Sequence, residues 1–152
     1  MELPDYLRSL GEHDLIVGVG NPLRGDDGFG PALVAALAGR ARCRAIDGGE
    51  MPEDRQEEIV ALAPAAVLVA DAVAFGGRPG ELILLEPEQL GKKVAVSTHN
   101  LPLMMFIKYL REQLPAAEIR ILGVQPRQIE LGKGLSPEVA KTVQSLKELL
   151  VQ

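Results

Sequence analysis

Short apolar runs alternate with helical patterns along the whole chain. Residues 15–19, 42–46, 66–70, 81–85 and 118–124 are apolar runs of strand length, and the fourth is short enough to lie at an edge. Residues 94–97 are a further extended candidate. Between these runs, residues 28–38, 52–62 and 101–114 read as helices. Pro31 is tolerated in the first turn of its helix, while Pro64 and Pro115 lie just past the ends of the other two. Ser136-Pro-Glu138 opens a last helix, with Ser as N-cap and Pro at the first position. Residues 76–80 are turn chemistry, and 126–135 form a loop. This alternation predicts an α/β fold. Residues 1–152 form a single three-layer domain, a mostly parallel twisted sheet of about five strands with helices on both faces.

Composition narrows the partners. A chain of 152 residues buries roughly 68–70% of its unfolded surface, enough for a real core. With no Trp, two Tyr and three Phe, that core falls to Leu, Val, Ile and Ala. The net charge is −5, and the positive charges are scattered rather than striped. That argues against nucleic acid and anionic membrane as main partners. A single cysteine excludes an internal disulfide and a cysteine-based zinc site, and fits a reducing cytoplasm. Cys43, in the stretch Cys43-Arg-Ala-Ile46, reads as a packed strand thiol. No apolar run approaches the roughly 20 residues that span a bilayer, so no membrane insertion is expected.

The most informative segment is Gly18-Val-Gly-Asn-Pro-Leu-Arg-Gly-Asp-Asp-Gly28. A strand, a glycine-rich turn and a helix make the usual frame of a phosphate loop. A phosphate loop needs a cation after its second glycine, and this chain places Asp26 and Asp27 there. Two carboxylates repel phosphate and attract a metal ion. The dinucleotide fingerprint fails too, because Leu23 stands where Gly or Ala is needed.

In open α/β sheets, ligands sit outside the carboxyl ends of the strands. Asp26 and Asp27 follow the first strand, Asp47 the second and Asp71 the third, and His99 stands just before a helix. Folding is expected to gather Asp27, Asp47, Asp71 and His99 on one rim. Each has a plainer alternative. Asp26 or Asp27 caps the following helix, Asp47 before Gly48-Gly49 is a turn residue, and His99 is a structural hydrogen-bonder. Asp71 is harder to explain away, since a carboxylate among apolar neighbours is partly desolvated. Two carboxylates and an imidazole suit zinc or nickel. Neither HExxH nor Gly-x-Ser-x-Gly occurs.

The segments Val17-Gly-Val-Gly-Asn-Pro-Leu-Arg-Gly-Asp-Asp-Gly-Phe-Gly-Pro31, Asp47-Gly-Gly-x-x-Pro-Glu53, Val69-Ala-Asp71-Ala, Gly80-Glu-Leu, Thr98-His-Asn-Leu-Pro-Leu103 and Gly123-Val-Gln-Pro126 resemble the hydrogenase maturation endopeptidases in order and spacing. They are most similar to the branch serving formate-hydrogenlyase-type nickel–iron hydrogenases. Residues 1–12 form an N-terminal extension that compact members lack.

The resemblance implies an endopeptidase, its partner a hydrogenase large-subunit precursor whose C-terminal extension it removes after nickel insertion. It implies Asp27, Asp71 and His99 as catalytic and metal-contacting residues, with Asp47, Gly48 and Gly49 contacting substrate. It assigns Asp26 to the loop or a helix terminus. The nickel is supplied by the precursor, and zinc or cadmium can stand in for it in vitro. A cytoplasmic monomer is expected. The alternatives are a non-catalytic nickel-binding chaperone and a Rossmann-like nucleotide-binding domain.

Overall fold

A computed structural model of the protein describes residues 2–92, 95–97 and 99–151. Val94 and Thr98, each part of an expectation above, lie outside the described residues. The strands are β1 (Asp14–Val19), β2 (Arg44–Gly49), β3 (Ala66–Ala74), β4 (Leu82–Leu85), β5 (Val96–Ser97) and β6 (Glu118–Val124). The helices are α1 (Leu3–Ser9), α2 (Phe29–Leu37), α3 (Gln56–Leu62), α4 (Asn100–Gln113) and α5 (Pro137–Leu150). The sheet runs β2-β1-β3-β6-β4, and β5 pairs antiparallel with the far end of β3. β2, β1, β3 and β6 are parallel, while β4 closes one edge antiparallel to β6. The expected three-layer α/β architecture is thus observed.

Strand parity sorts the core into two layers. Side chains alternate between faces along a strand. Ile16, Leu68, Ala70, Ala72 and Leu122 pack with α1, α2 and α5. Leu15, Val17, Val67, Val69, Val73, Ile119 and Ile121 pack with α3 and α4. Asp71 shares the parity of Val69 and Val73, so its carboxylate points toward the α4 side.

Several boundaries differ from the sequence reading, and β2 runs on through Asp47 to Gly49. The N-terminal extension contains helix α1, whose Tyr6 and Leu7 are buried with Leu10 against α5. Apolar residues at 3, 6, 7 and 10 carried that helical spacing. β2 begins at Arg44, because Arg42 donates its backbone N–H to Leu150 and Ala41 bridges Val151. Cys43 therefore precedes the strand, although it is buried as expected and burial pushes its thiol pKa up. β3 does not stop at Asp71 but continues to Ala74, with Val73 and Ala74 paired to β5. The helices after Gly25 and Pro52 open with 3-10 turns, Gly25–Gly28 and Pro52–Arg55. The N-cap role of Ser136 is observed: its Oγ accepts from Val139 N at 3.4 Å. His13 is exposed.

Candidate active site

The site begins with the glycines around β1. Gly20 has φ +141°, and a Cβ there would lie 1.8 Å from the Asp27 carbonyl oxygen. A Cβ on Gly18 would lie 2.4 Å from Gly30 O, and one on Gly30 would lie 2.4 Å from Val19 N. Only bare backbone lets the start of α2 press this closely on the end of β1. The approach holds Asp27 over the carboxyl edge of the sheet, where Asn21 N donates to its Oδ2 at 2.9 Å.

Register supplies the second acid. β1 and β3 are neighbours with Gly18 opposite Ala70, so Asp71 lies beside the end of β1. It is fully buried. Its Oδ1 accepts from Ala72 N at 2.8 Å, and its Oδ2 accepts a very short hydrogen bond from Ser97 Oγ. Ser97 is carried there by the pairing of β5 with β3. The same Oγ accepts from His99 N at 2.9 Å. One buried hydroxyl thus ties Asp71 to the backbone of His99.

His99 occupies the N-cap position of α4 but makes no capping hydrogen bond with its side chain. Its imidazole instead faces both acids. Nε2 is 3.7 Å from Asp27 Oδ2 and Nδ1 is 3.6 Å from Asp71 Oδ1, with only 13% of the side chain exposed. Asp71 is the largest influence raising the His99 pKa, against burial, with Asp27 and Glu50 adding to it. Burial raises the Asp71 pKa, and His99 and Ser97 oppose that rise.

The expected gathering of acids is met in part. One donor atom from each of Asp27, Asp71 and His99 lies within 4.8 Å of the others. Donors bound at about 2.1 Å stand at most about 4.2 Å apart, so an ion needs only a small contraction of the cluster. Asp47 is not a member of that cluster. It is exposed at the end of β2, its Oδ1 accepts from Gly49 N at 2.9 Å, and its carbonyl accepts from Arg55 Nη1 at 2.9 Å. Gly48 and Gly49 adjoin it in an open depression of about 370 Å³.

Asp26 serves the loop, as expected, and reaches a helix terminus distant in sequence. It is fully buried, and its carboxylate accepts from Arg127 N, Gln128 N, Ser136 N and Ser136 Oγ at 2.7–3.3 Å. The terminus it fixes is therefore that of α5. Two further supports were not singled out from sequence. Ser97 is one. The other is Gln125, whose Oε1 accepts from Phe75 N and Gly77 N and holds the turn after β3. Gln125 lies inside a motif segment and Ser97 directly precedes one, which was the only sequence signal for either.

Comparison with known proteins agrees with this arrangement. The family model described as HycI, hydrogenase maturation protease, matches residues 31–152. The chain is 37% identical over 115 residues to the hydrogenase 3 maturation protease of Escherichia coli K12, covering 74% of this chain and 72% of that protein. The crystal structure of a nickel–iron hydrogenase maturation protease HycI from Thermococcus kodakarensis KOD1 superposes with TM-score 0.80 at 34% identity, covering 97% of this chain and 94% of that one. The solution structure of the endopeptidase HycI from Escherichia coli gives TM-score 0.78 at 30% identity, over 89% and 86% of the two chains. A buried Asp-Asp-His cluster at the carboxyl edge of a parallel sheet, in a chain matched by this family over most of its length, is thus that of a protein belonging to the hydrogenase maturation protease family.

Proposed function

We infer that this protein is an endopeptidase that removes the C-terminal extension of a nickel–iron hydrogenase large-subunit precursor, and that nickel already held by the precursor gates the cut. Family membership supports the protease activity. The observation that carries the nickel-gated part is the clustering of Asp27, Asp71 and His99. Two carboxylates and one imidazole make an incomplete coordination shell, suited to an ion that arrives with other ligands. In this reading nickel is part of the substrate, and zinc or cadmium can occupy the cluster in its place in vitro.

In this reading each residue has a role that the geometry supports. Asp27 and Asp71 supply charge, and His99 supplies a neutral nitrogen once its proton has left. Ser97 holds Asp71 and His99 in mutual register. Binding through a remote feature of the precursor places the scissile segment against the rim, where proximity lowers the barrier. The ion, when bound, would supply Lewis acidity at the carbonyl of that segment or at a water. Asp47, Gly48 and Gly49, at the end of an adjacent strand, are assigned to contact the precursor chain. The reading takes the protein to act as a cytoplasmic monomer. Among the described residues no helix is long and apolar enough to cross a membrane.

The test sets apo and nickel-loaded precursor side by side and reads the C-terminus by mass spectrometry. Cleavage of the loaded form alone is expected. Binding without any mass change indicates a nickel-binding chaperone instead. Efficient cleavage of apo precursor in a chelator overturns the gating.

A further inference from the structure

The segments containing Asp47-Gly-Gly-x-x-Pro-Glu53 and Thr98-His-Asn-Leu-Pro-Leu103 each carry residues that the Asp-Asp-His cluster leaves unused. In the fold they meet. Glu53, from the 3-10 turn before α3, faces the first three turns of α4 across a groove of about 470 Å³. Leu101, Pro102, Met105, Phe106 and Tyr109 supply most of its lining. The groove starts two residues after His99.

Three properties set this groove apart. Phe106 is buried and gives it a fixed aromatic wall, while Leu101 and Met105 remain 68% and 65% exposed at its lip. Leu101 and Met105 are four residues apart and lie on one face of α4. Two large apolar side chains exposed together mark a contact surface more often than they serve solubility, and a methionine adapts to the shape laid against it. The third property is electrostatic. Glu53 is half-buried and brings a carboxylate to the lining of the groove. Among the described residues, no basic side chain lines the groove to offset that charge.

We propose that this groove is the docking site for an apolar segment of the precursor protein bearing a cationic side chain, with the apolar part against Phe106 and Met105 and the cation on Glu53. The argument for a cation is charge complementarity, since Glu53 is the single charged residue among the described residues that line the groove. The proposal rests on the protease reading for the identity of the partner. It assigns the groove to substrate selection, leaving the ion to the cluster beside it. Lining the groove with Leu101 and Pro102, at the start of the helix that carries His99, places the docked segment next to the reacting bond.

The experiment uses the full chain with Leu101→Lys, Met105→Lys and Glu53→Gln. Thermal unfolding and cadmium titration first establish that each variant folds and retains the Asp-Asp-His site. Affinity for immobilised nickel-loaded precursor is then measured alongside cleavage. Expected is a rise in KM of about tenfold or more for Met105→Lys and Leu101→Lys with kcat retained, the size of effect of one central interface side chain. Added salt is expected to raise KM of the parent and to leave that of Glu53→Gln nearly flat. A parent that cleaves, with affinity and KM unchanged in both lysine variants, overturns the groove and keeps the protease reading. A parent that binds precursor without cutting it, with binding lost in Met105→Lys, keeps the groove and sinks the protease reading. Self-association of the parent that Met105→Lys abolishes assigns the face to a second copy and overturns the proposal.

Discussion

Two aspartate–serine pairs stand at the starts of the two 14-residue helices, and they are used in opposite ways. At α5, Asp26 and Ser136 are hydrogen-bonded and both buried, and the Asp26 carboxylate receives four donors from the 126–136 segment. Ser136 then caps its helix. At α4, Ser97 donates to Asp71 and accepts from the backbone of His99, so the helix starts on an imidazole that caps nothing. The Asp26 pair closes its network with neutral donors. The Asp71 pair leaves one oxygen shared between Ala72 N and a titratable nitrogen at 3.6 Å. A carboxylate surrounded by backbone donors holds a fold together. A carboxylate facing a histidine and a second acid, in a desolvated pocket, has the perturbed titration that gathers at functional sites.

The largest expected effect separates the two pairs outright. Asp71→Asn should abolish precursor processing and cadmium binding in calorimetry. Its effect on folding should have the reverse sign. Burial raises the Asp71 pKa, so the stability tied to this group is complete below its unfolded pKa and is lost as pH rises through the folded value. At neutral pH the ionised group works against folding, and the amide should raise the melting temperature of the metal-free protein. Retained cadmium affinity in this variant would remove Asp71 from the site.

Next in size is the mirror experiment. Asp26→Ala removes the acceptor of three backbone N–H groups and a hydroxyl, those of Ser136 buried and those of Arg127 and Gln128 partly so. It should lower stability in urea titration by about 3 kcal/mol or more, at the level expected for losing several hydrogen bonds to one charged group. A loss below about 1 kcal/mol would show that water or relaxation replaces the network.

Ser97→Ala is a finer cut, because it removes a supporting group and leaves all three proposed ligands. Cadmium affinity should fall about 10–100-fold, the usual consequence of deleting a partner of a metal ligand. Ser97→Thr, which keeps the hydroxyl, should recover most of it. If both variants bind as the parent does, Ser97 is packing rather than positioning.

The smallest effect is a slope with pH. His99 is raised by Asp71, so its contribution to metal-free stability is complete below the ordinary imidazole value of about 6.5 and declines as pH rises through the folded value. Cadmium affinity should move the other way over that window, because the proton must leave before the nitrogen can bind. Melting temperatures with and without cadmium from about pH 6 to pH 8 check both signs together. Parallel curves would mean that His99 is not a ligand.

Much of the fold was legible because its signals are local. The β6 run was read to its ends as Glu118–Val124, and Ser136-Pro137 marked the start of α5 by cap chemistry alone. Asp27, Asp71 and His99 were named from strand ends and a motif. The missed features are those that depend on a distant partner. β3 extends past Asp71 because β5 pairs with it from 22 to 24 residues downstream. Residues 3–9 form a helix whose apolar face is explained only by α5. Asp26 looked like a cap for the helix that follows it and is bound to Ser136, 110 positions away.

The sequence by itself determined which segments become strands and helices, since periodicity and caps act within a few residues. It also determined that the sheet's carboxyl edge carries acids where a phosphate loop would carry a cation. Only the tertiary structure decided which acids meet. The parallel register of β1 and β3 sets Asp71 beside the loop of Asp27, and strand parity turns its carboxylate toward α4 and His99. The same packing leaves Asp47 exposed outside the cluster and brings Glu53 to the lining of an apolar groove. Pairing between remote segments is fixed by burial of whole faces, and no short stretch of chain contains that information.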